Sequence, residues 1–190
     1  MCIDNLYSFI EKVYSNKLLI IFTLLFFTAG FLNINKPLGI AQVVDDTGGV
    51  GVLDEADYTA EEAYHILESM GEKGRESYKR LLLTIEMIFP FCYRMFSVLF
   101  LFFLASHIFH KKSNWKKLCL LPFIGMFLDY LENAMVLIML FKFPNSIEIA
   151  ATIASLATSL KWLSNYLDWT LMILGIIVVL FLFMKQKISK

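Results

Sequence analysis

The sequence predicts an all-α fold: one polytopic membrane domain over residues 1–190, a four-transmembrane-helix bundle under an extracytoplasmic helical cap. Three observations carry that expectation. The 190 residues are 58% hydrophobic and only 18% charged, with a mean hydropathy of +0.64, too apolar for the surface of a soluble domain of this size. Four apolar runs, about residues 18–32, 81–109, 118–141 and 162–184, have the length that crosses a ~30 Å hydrocarbon core as helix. The zero formal charge separates into opposite terms once it is divided along the chain.

The first run, 18–32, is short and is followed by the polar Asn33, Asn35 and Lys36. Its leader carries Asp4 and Glu11, and no small-x-small cleavage site follows, so a retained anchor is expected over a cleaved signal. The segment 33–80 is the one substantial polar stretch. Its first part holds Asp45, Asp46, Asp54, Glu55 and Asp57 among glycines. These acids lack the alternating spacing that wraps calcium, and a solvated acidic loop is expected. Thr59 and Glu62 then have capping-box spacing, opening a helix to Arg80 with one apolar face. Gly71 and Gly74 predict a bend in it.

The second run contains Pro90, expected to kink it beside polar side chains. The third run has 11 residues before Asp129 and eight after Asn133. Neither piece could cross a bilayer alone, so Asp129, Glu132 and Asn133 must sit near its middle. The fourth run has an outer extension, 147–161, rich in alanine and serine at four-residue spacing. Such faces admit close helix approach, and packing on the 59–80 helix is expected. The phenylalanines are read as lipid-facing bulk.

Both tails and the segment between the second and third runs hold nine lysines, among them Lys111, Lys112 and Lys190, against only Asp4 and Glu11. Residues 33–80 and 142–161 hold 11 acids against seven bases. The positive-inside rule therefore puts both termini in the cytoplasm, with the cell membrane as the expected location. Glu86, Arg94, Asp129, Glu132 and Asp168 remain inside the spans. Measured from the outer ends at 1.5 Å per residue, Glu86 lies about 8 Å deep, Asp168 about 9 Å, Glu132 about 13 Å, Asp129 about 18 Å and Arg94 about 20 Å. Arg94 and Asp129 come out level and form the expected ion pair.

A lipid-exposed charge near the midplane costs roughly 2.5–3.5 kcal/mol, while a Leu or Phe returns only about 0.3–0.6. The polar stripes must therefore face inward. Arg94, Asp129 and Glu132 are the candidate catalytic residues, and Glu86, Tyr93, Asn133, Lys161, Asn165 and Asp168 the candidate binding residues. The bland alternative is a satisfied network that fixes helix register and binds nothing. His107 and His110 have no completing Cys or carboxylate, so no metal is expected. No cofactor motif occurs and no nucleic-acid partner is expected. Trp115, Trp162 and Trp169 read as interfacial anchors, with Trp169 also placed to line a cavity beside Asp168.

The motifs Tyr58-Thr59-x-Glu61, Gly74-Arg75-x-x-Tyr78, Phe89-Pro90-x-x-Tyr93 and Asp129-x-x-Glu132-Asn133 resemble those of small four-span integral membrane proteins of unknown function. The resemblance covers most of the chain from Tyr58 onward. It implies a four-helix membrane fold and no particular chemistry.

Three functions fit the residues. The first is binding or modification of an amphipathic, lipid-like molecule taken from the outer leaflet, with membrane lipids as the natural partners and Arg94 holding its head. The second is a proton- or ion-coupled transporter or channel-like unit acting as a homo-oligomer. The third is an assembly partner of other membrane proteins. The sequence does not decide whether the protein is an enzyme.

Overall fold

The computed structural model describes residues 2–110 and 113–188, and among these every regular element is helical. The elements are α1 (Cys2–Val13), α2 (Asn16–Ile34), α3 (Ile40–Asp46), α4 (Ala60–Ser69), α5 (Gly71–Leu83), α6 (Ile85–Ile108), a 3-10 helix (Asn114–Leu120), α7 (Pro122–Lys142) and α8 (Glu148–Ile188). Four helical stretches are long and apolar enough to cross a membrane: Asn16–Ile34, Gly71–Ile108, Asn114–Lys142 and Glu148–Lys187. Lys111, Lys112 and Lys190 lie outside the described residues.

The amino-terminal tail is amphipathic. In α1, Ile10 is buried with Tyr7 and Tyr14 against Phe102 of α6, while Ile3 and Phe9 remain exposed. Ser15 then caps α2, its hydroxyl accepting from the Leu18 amide at 3.1 Å. Helix α2 lies along α6, joined by rings: Phe26 packs on Phe89, Tyr93 and Phe96. The phenylalanines are thus of two kinds. Phe27, Phe31 and Phe127 are exposed as expected, whereas the Phe26 set fastens two helices, because rings at three- and four-residue spacing on both helices meet in register.

Residues 33–58 depart from a solvated loop. They contain α3, whose Val43 is buried, and they bury Leu53 as well. The reason lies in contacts with α5: Asp46, expected to face water, accepts from Ser77 of α5 and from Gln42 at 3.0 Å, and pairs with Lys73 at 2.7 Å. The Lys73 ammonium, with Ser77 and Gln42, holds the Asp46 carboxyl well below the usual carboxylate range. The Leu53 amide donates to the Tyr78 hydroxyl at 3.1 Å.

The capping box forms: Thr59 and Glu62 each accept from the other's backbone amide, at 3.2 and 2.7 Å. The helix predicted from it does not run to Arg80 unbroken. Gly71 has φ of +63°, a left-handed value that only glycine adopts at little cost, and the chain turns there from α4 into α5. A second break at Thr84 separates α5 from α6. Pro90 is buried within α6.

Helix α8 has 41 residues, about 61 Å at 1.5 Å per residue. Its first part buries Ala150, Ala151 and Ala154 in one cluster with Ala63 and Leu67 of α4 and Val136 and Met139 of α7. The small-residue face is what lets the three helices approach so closely. Farther along, Gly175 packs against Leu104 of α6.

Candidate functional site

The inward stripes of α6, α7 and α8 meet at one guanidinium. Arg94 is fully buried. Its Nε and Nη2 donate to Asp129 Oδ2 at 3.1 and 2.8 Å, and its Nη1 donates to Asp168 Oδ2 at 3.0 Å. Asp168 is also fully buried, and its other oxygen, Oδ1, has no hydrogen-bond partner. Gly125, one turn before Asp129, makes the approach possible, because a Cβ there would land on the guanidinium itself. The Arg94 guanidinium also lies 4.8 Å from the centre of the Tyr93 ring, a distance within cation–π range.

The expected Arg94–Asp129 pair is therefore present, and Asp168 joins it. That corrects the depth count, which put Asp168 about 10 Å shallower than its partner. The count assumed helices starting in a common plane at equal tilt. The height of α8 is instead set by its packing on α7 and α4.

A second cation bridges two further acids. Lys161 Nζ lies 2.5 Å from Asp54 Oδ1 and 2.6 Å from Glu132 Oε2, and Thr158 donates to Glu132 Oε1 at 2.7 Å. Asp54 belongs to the segment between α3 and α4, so the bridge draws that segment onto α7 and α8. The Trp162 indole donates to the Asp54 carbonyl at 3.1 Å, reinforcing the contact.

Beside these two trios is a cavity of about 530 Å³, within the range that holds small ligands. Arg94, Asp129, Glu132, Asn133, Glu86, Tyr93, Asn165 and Lys161 all line it. Asp168 does not; it stands behind Arg94. The apolar lining comes from Phe26, Phe27, Gly30 and Phe31 of α2, Phe89 of α6 and Trp162 and Trp169 of α8, with Val52 and Leu53 from the segment between α3 and α4. Trp169 donates to the Tyr93 hydroxyl at 2.8 Å, and Asn133 Nδ2 donates to the Glu86 carbonyl at 3.3 Å.

No family model, curated protein or solved structure matches this chain. The resemblance to small four-span proteins thus rests on its motif residues alone.

Three of the five guanidinium N–H groups of Arg94 donate to Asp129 and Asp168, so its charge is shared between two acids and it ties three helices together. No group of three or more His, Cys, Asp and Glu side chains with metal-binding geometry occurs among the described residues. His107 Nδ1 lies 2.8 Å from the Phe103 carbonyl, an intrahelical contact. Cys92 and Cys119 are buried and unbridged.

Sequence reasoning missed Asn33 and Asp54. Asn33 is 5% exposed, lines the cavity and has an unpartnered Oδ1. Its signal was available: Phe26, Gly30 and Asn33 follow four-then-three spacing and mark one face of α2. Asp54 had no local signal, because its partner Lys161 is 107 positions away.

Proposed function

We propose that this chain is an integral protein of the cell membrane that binds or modifies an amphipathic, lipid-like molecule. In this arrangement α2, α5–α6, α7 and α8 form a four-helix membrane bundle. Helices α3, α4 and the first turns of α8 cap its extracytoplasmic side. Both termini are cytoplasmic, as the lysine distribution favours. The ligand enters from the outer half of the bilayer.

The observation that carries this proposal is the two-faced cavity. Its lining combines ionisable and amide side chains with aromatic rings. Phe27, Phe31 and Trp169 line it yet are 65%, 65% and 42% exposed. Residues that both line a cavity and stay exposed mark its mouth, and these lie on the apolar flanks of α2 and α8, where acyl chains would be. An amphiphile can enter there with its tail in the mouth and its head among the polar groups.

A proton-linked transporter needs a polar path onward to the other membrane face. Below the Arg94 trio the interior is instead closed by Val98, Leu101, Phe102, Leu104 and Met172, all buried and apolar, which favours a blind pocket. Native mass spectrometry with lipid identification tests the proposal on the wild type and on Gly30→Phe, which fills the α2 wall. Wild type should retain an amphiphile that the variant loses. Absence of any such species from the wild type, purified in several mild detergents, would count against a binding pocket.

A further inference from the structure

Resting on the cavity being an amphiphile site, we propose that it selects a cationic, hydrogen-bond-donating head, that of a long-chain amine, over an anionic or purely hydroxylic one. The polar wall has more acid than base. Arg94 serves Asp129 and Asp168 together, and Lys161 serves Asp54 and Glu132 together, so each cation is shared between two carboxylates. Glu86 also lines the cavity and has no cationic side chain within ion-pair distance among the described residues. Such an excess of carboxylate favours a cationic partner over an anionic one. A phosphate or sulfate head would face this excess with each base already shared between two acids.

The second observation is independent of charge. Asn33 and Asn165 are each more than nine-tenths buried, line the cavity, and have an Oδ1 atom with no hydrogen-bond partner. Unsatisfied buried acceptors are costly, and an ammonium offers three donors and no acceptor. The aromatic wall completes the match. Phe89, Tyr93 and Trp162 line the same cavity, and aromatic rings attract cations. One head group thus answers three features of the same lining: surplus carboxylate, orphaned acceptors and aromatic rings.

Photo-crosslinking distinguishes failure of this proposal from failure of the pocket itself. Full-length protein in phosphatidylcholine nanodiscs is exposed to three diazirine-bearing twelve-carbon chains that differ only in head: primary amine, alcohol or phosphate. Saturable labelling of peptides containing Phe89 or Trp162, competed by unlabelled probe, reports occupancy. Labelling around Ile173 and Ile177 on the lipid face of α8 serves as the non-saturable control. The amine should reach half-saturation at a mole fraction at least tenfold below the phosphate and several-fold below the alcohol. Glu86→Gln and Asn165→Leu should each narrow the gap between amine and alcohol by weakening amine labelling more than alcohol labelling. Phosphate labelling equal to or stronger than amine labelling overturns head-group selection alone. No saturable labelling by any probe overturns the amphiphile pocket as well. An amine preference untouched by both substitutions refutes the assignment to these residues.

Discussion

Replacing Arg94 with Met is the most searching perturbation of the polar centre. The side chain is fully buried and makes three N–H bonds to two carboxylates. Removing it leaves Asp129 and Asp168 facing the same space with no cation, Asp168 fully buried and Asp129 at 15% side-chain exposure. Breaking a buried ion pair from one side costs about 3–5 kcal/mol, and two acids are abandoned here, which places the loss toward the upper figure. At about 1.4 kcal/mol per factor of ten, the folding equilibrium falls by two to more than three orders of magnitude. The assay is unfolding in mixed micelles at increasing sodium dodecyl sulfate fraction, followed by circular dichroism. The triple variant Arg94→Met, Asp129→Asn, Asp168→Asn removes every formal charge from the trio and should recover at least half of the loss. Arg94→Met within about 1 kcal/mol of wild type, or a triple variant no better than the single one, would refute the claim that this trio holds three helices together.

Four further outcomes follow from the same geometry. Gly125→Ala should reproduce much of the Arg94 defect in that unfolding assay, because the added methyl occupies the guanidinium's position; overpacking alone costs about 1–3 kcal/mol. Gly71→Ala should destabilise by about 1–2 kcal/mol, the cost of a left-handed residue with a Cβ, measured in the same titration. Asp46 has a folded-state pKa below its unfolded value, so its contribution is complete above about pH 4 and is lost as pH falls toward the folded value. Hydrogen exchange at α3 should therefore differ between wild type and Asp46→Asn by a constant amount from pH 5 to 8, a difference that shrinks below pH 4. In a cysteine-free background, Glu68→Cys should react with an impermeant maleimide on intact cells, while Gln186→Cys should react only after permeabilisation; the reverse pattern would invert the topology.

Much of this architecture was legible because membranes simplify inference. A carboxylate or guanidinium in the middle of an apolar run can only face inward, so Arg94, Asp129, Glu132 and Asp168 declared their direction without any tertiary information. The capping box at Thr59 and the break near Gly71 were likewise local chemistry. What stayed hidden needed long-range geometry. The level of Asp168 depended on how α8 leans on α7 and α4. The role of Asp54 depended on a loop folding back over 107 positions to Lys161. Asn33 was lost for another reason: a single polar residue at the end of an apolar run reads as a helix terminus, although its spacing from Phe26 and Gly30 marks an inward face.

The Arg94 trio also bears on how the protein is made. The base lies on α6, and both acids lie on helices synthesised later, Asp129 on α7 and Asp168 on α8. A chain inserted from its amino terminus thus places one unpaired cation in the bilayer first and supplies its two counterions in turn. Asp129 and Asp168 each find a waiting partner on arrival, whereas Glu132 of α7 waits for Lys161 of α8. The order of charges along the polypeptide is, in effect, an assembly sequence.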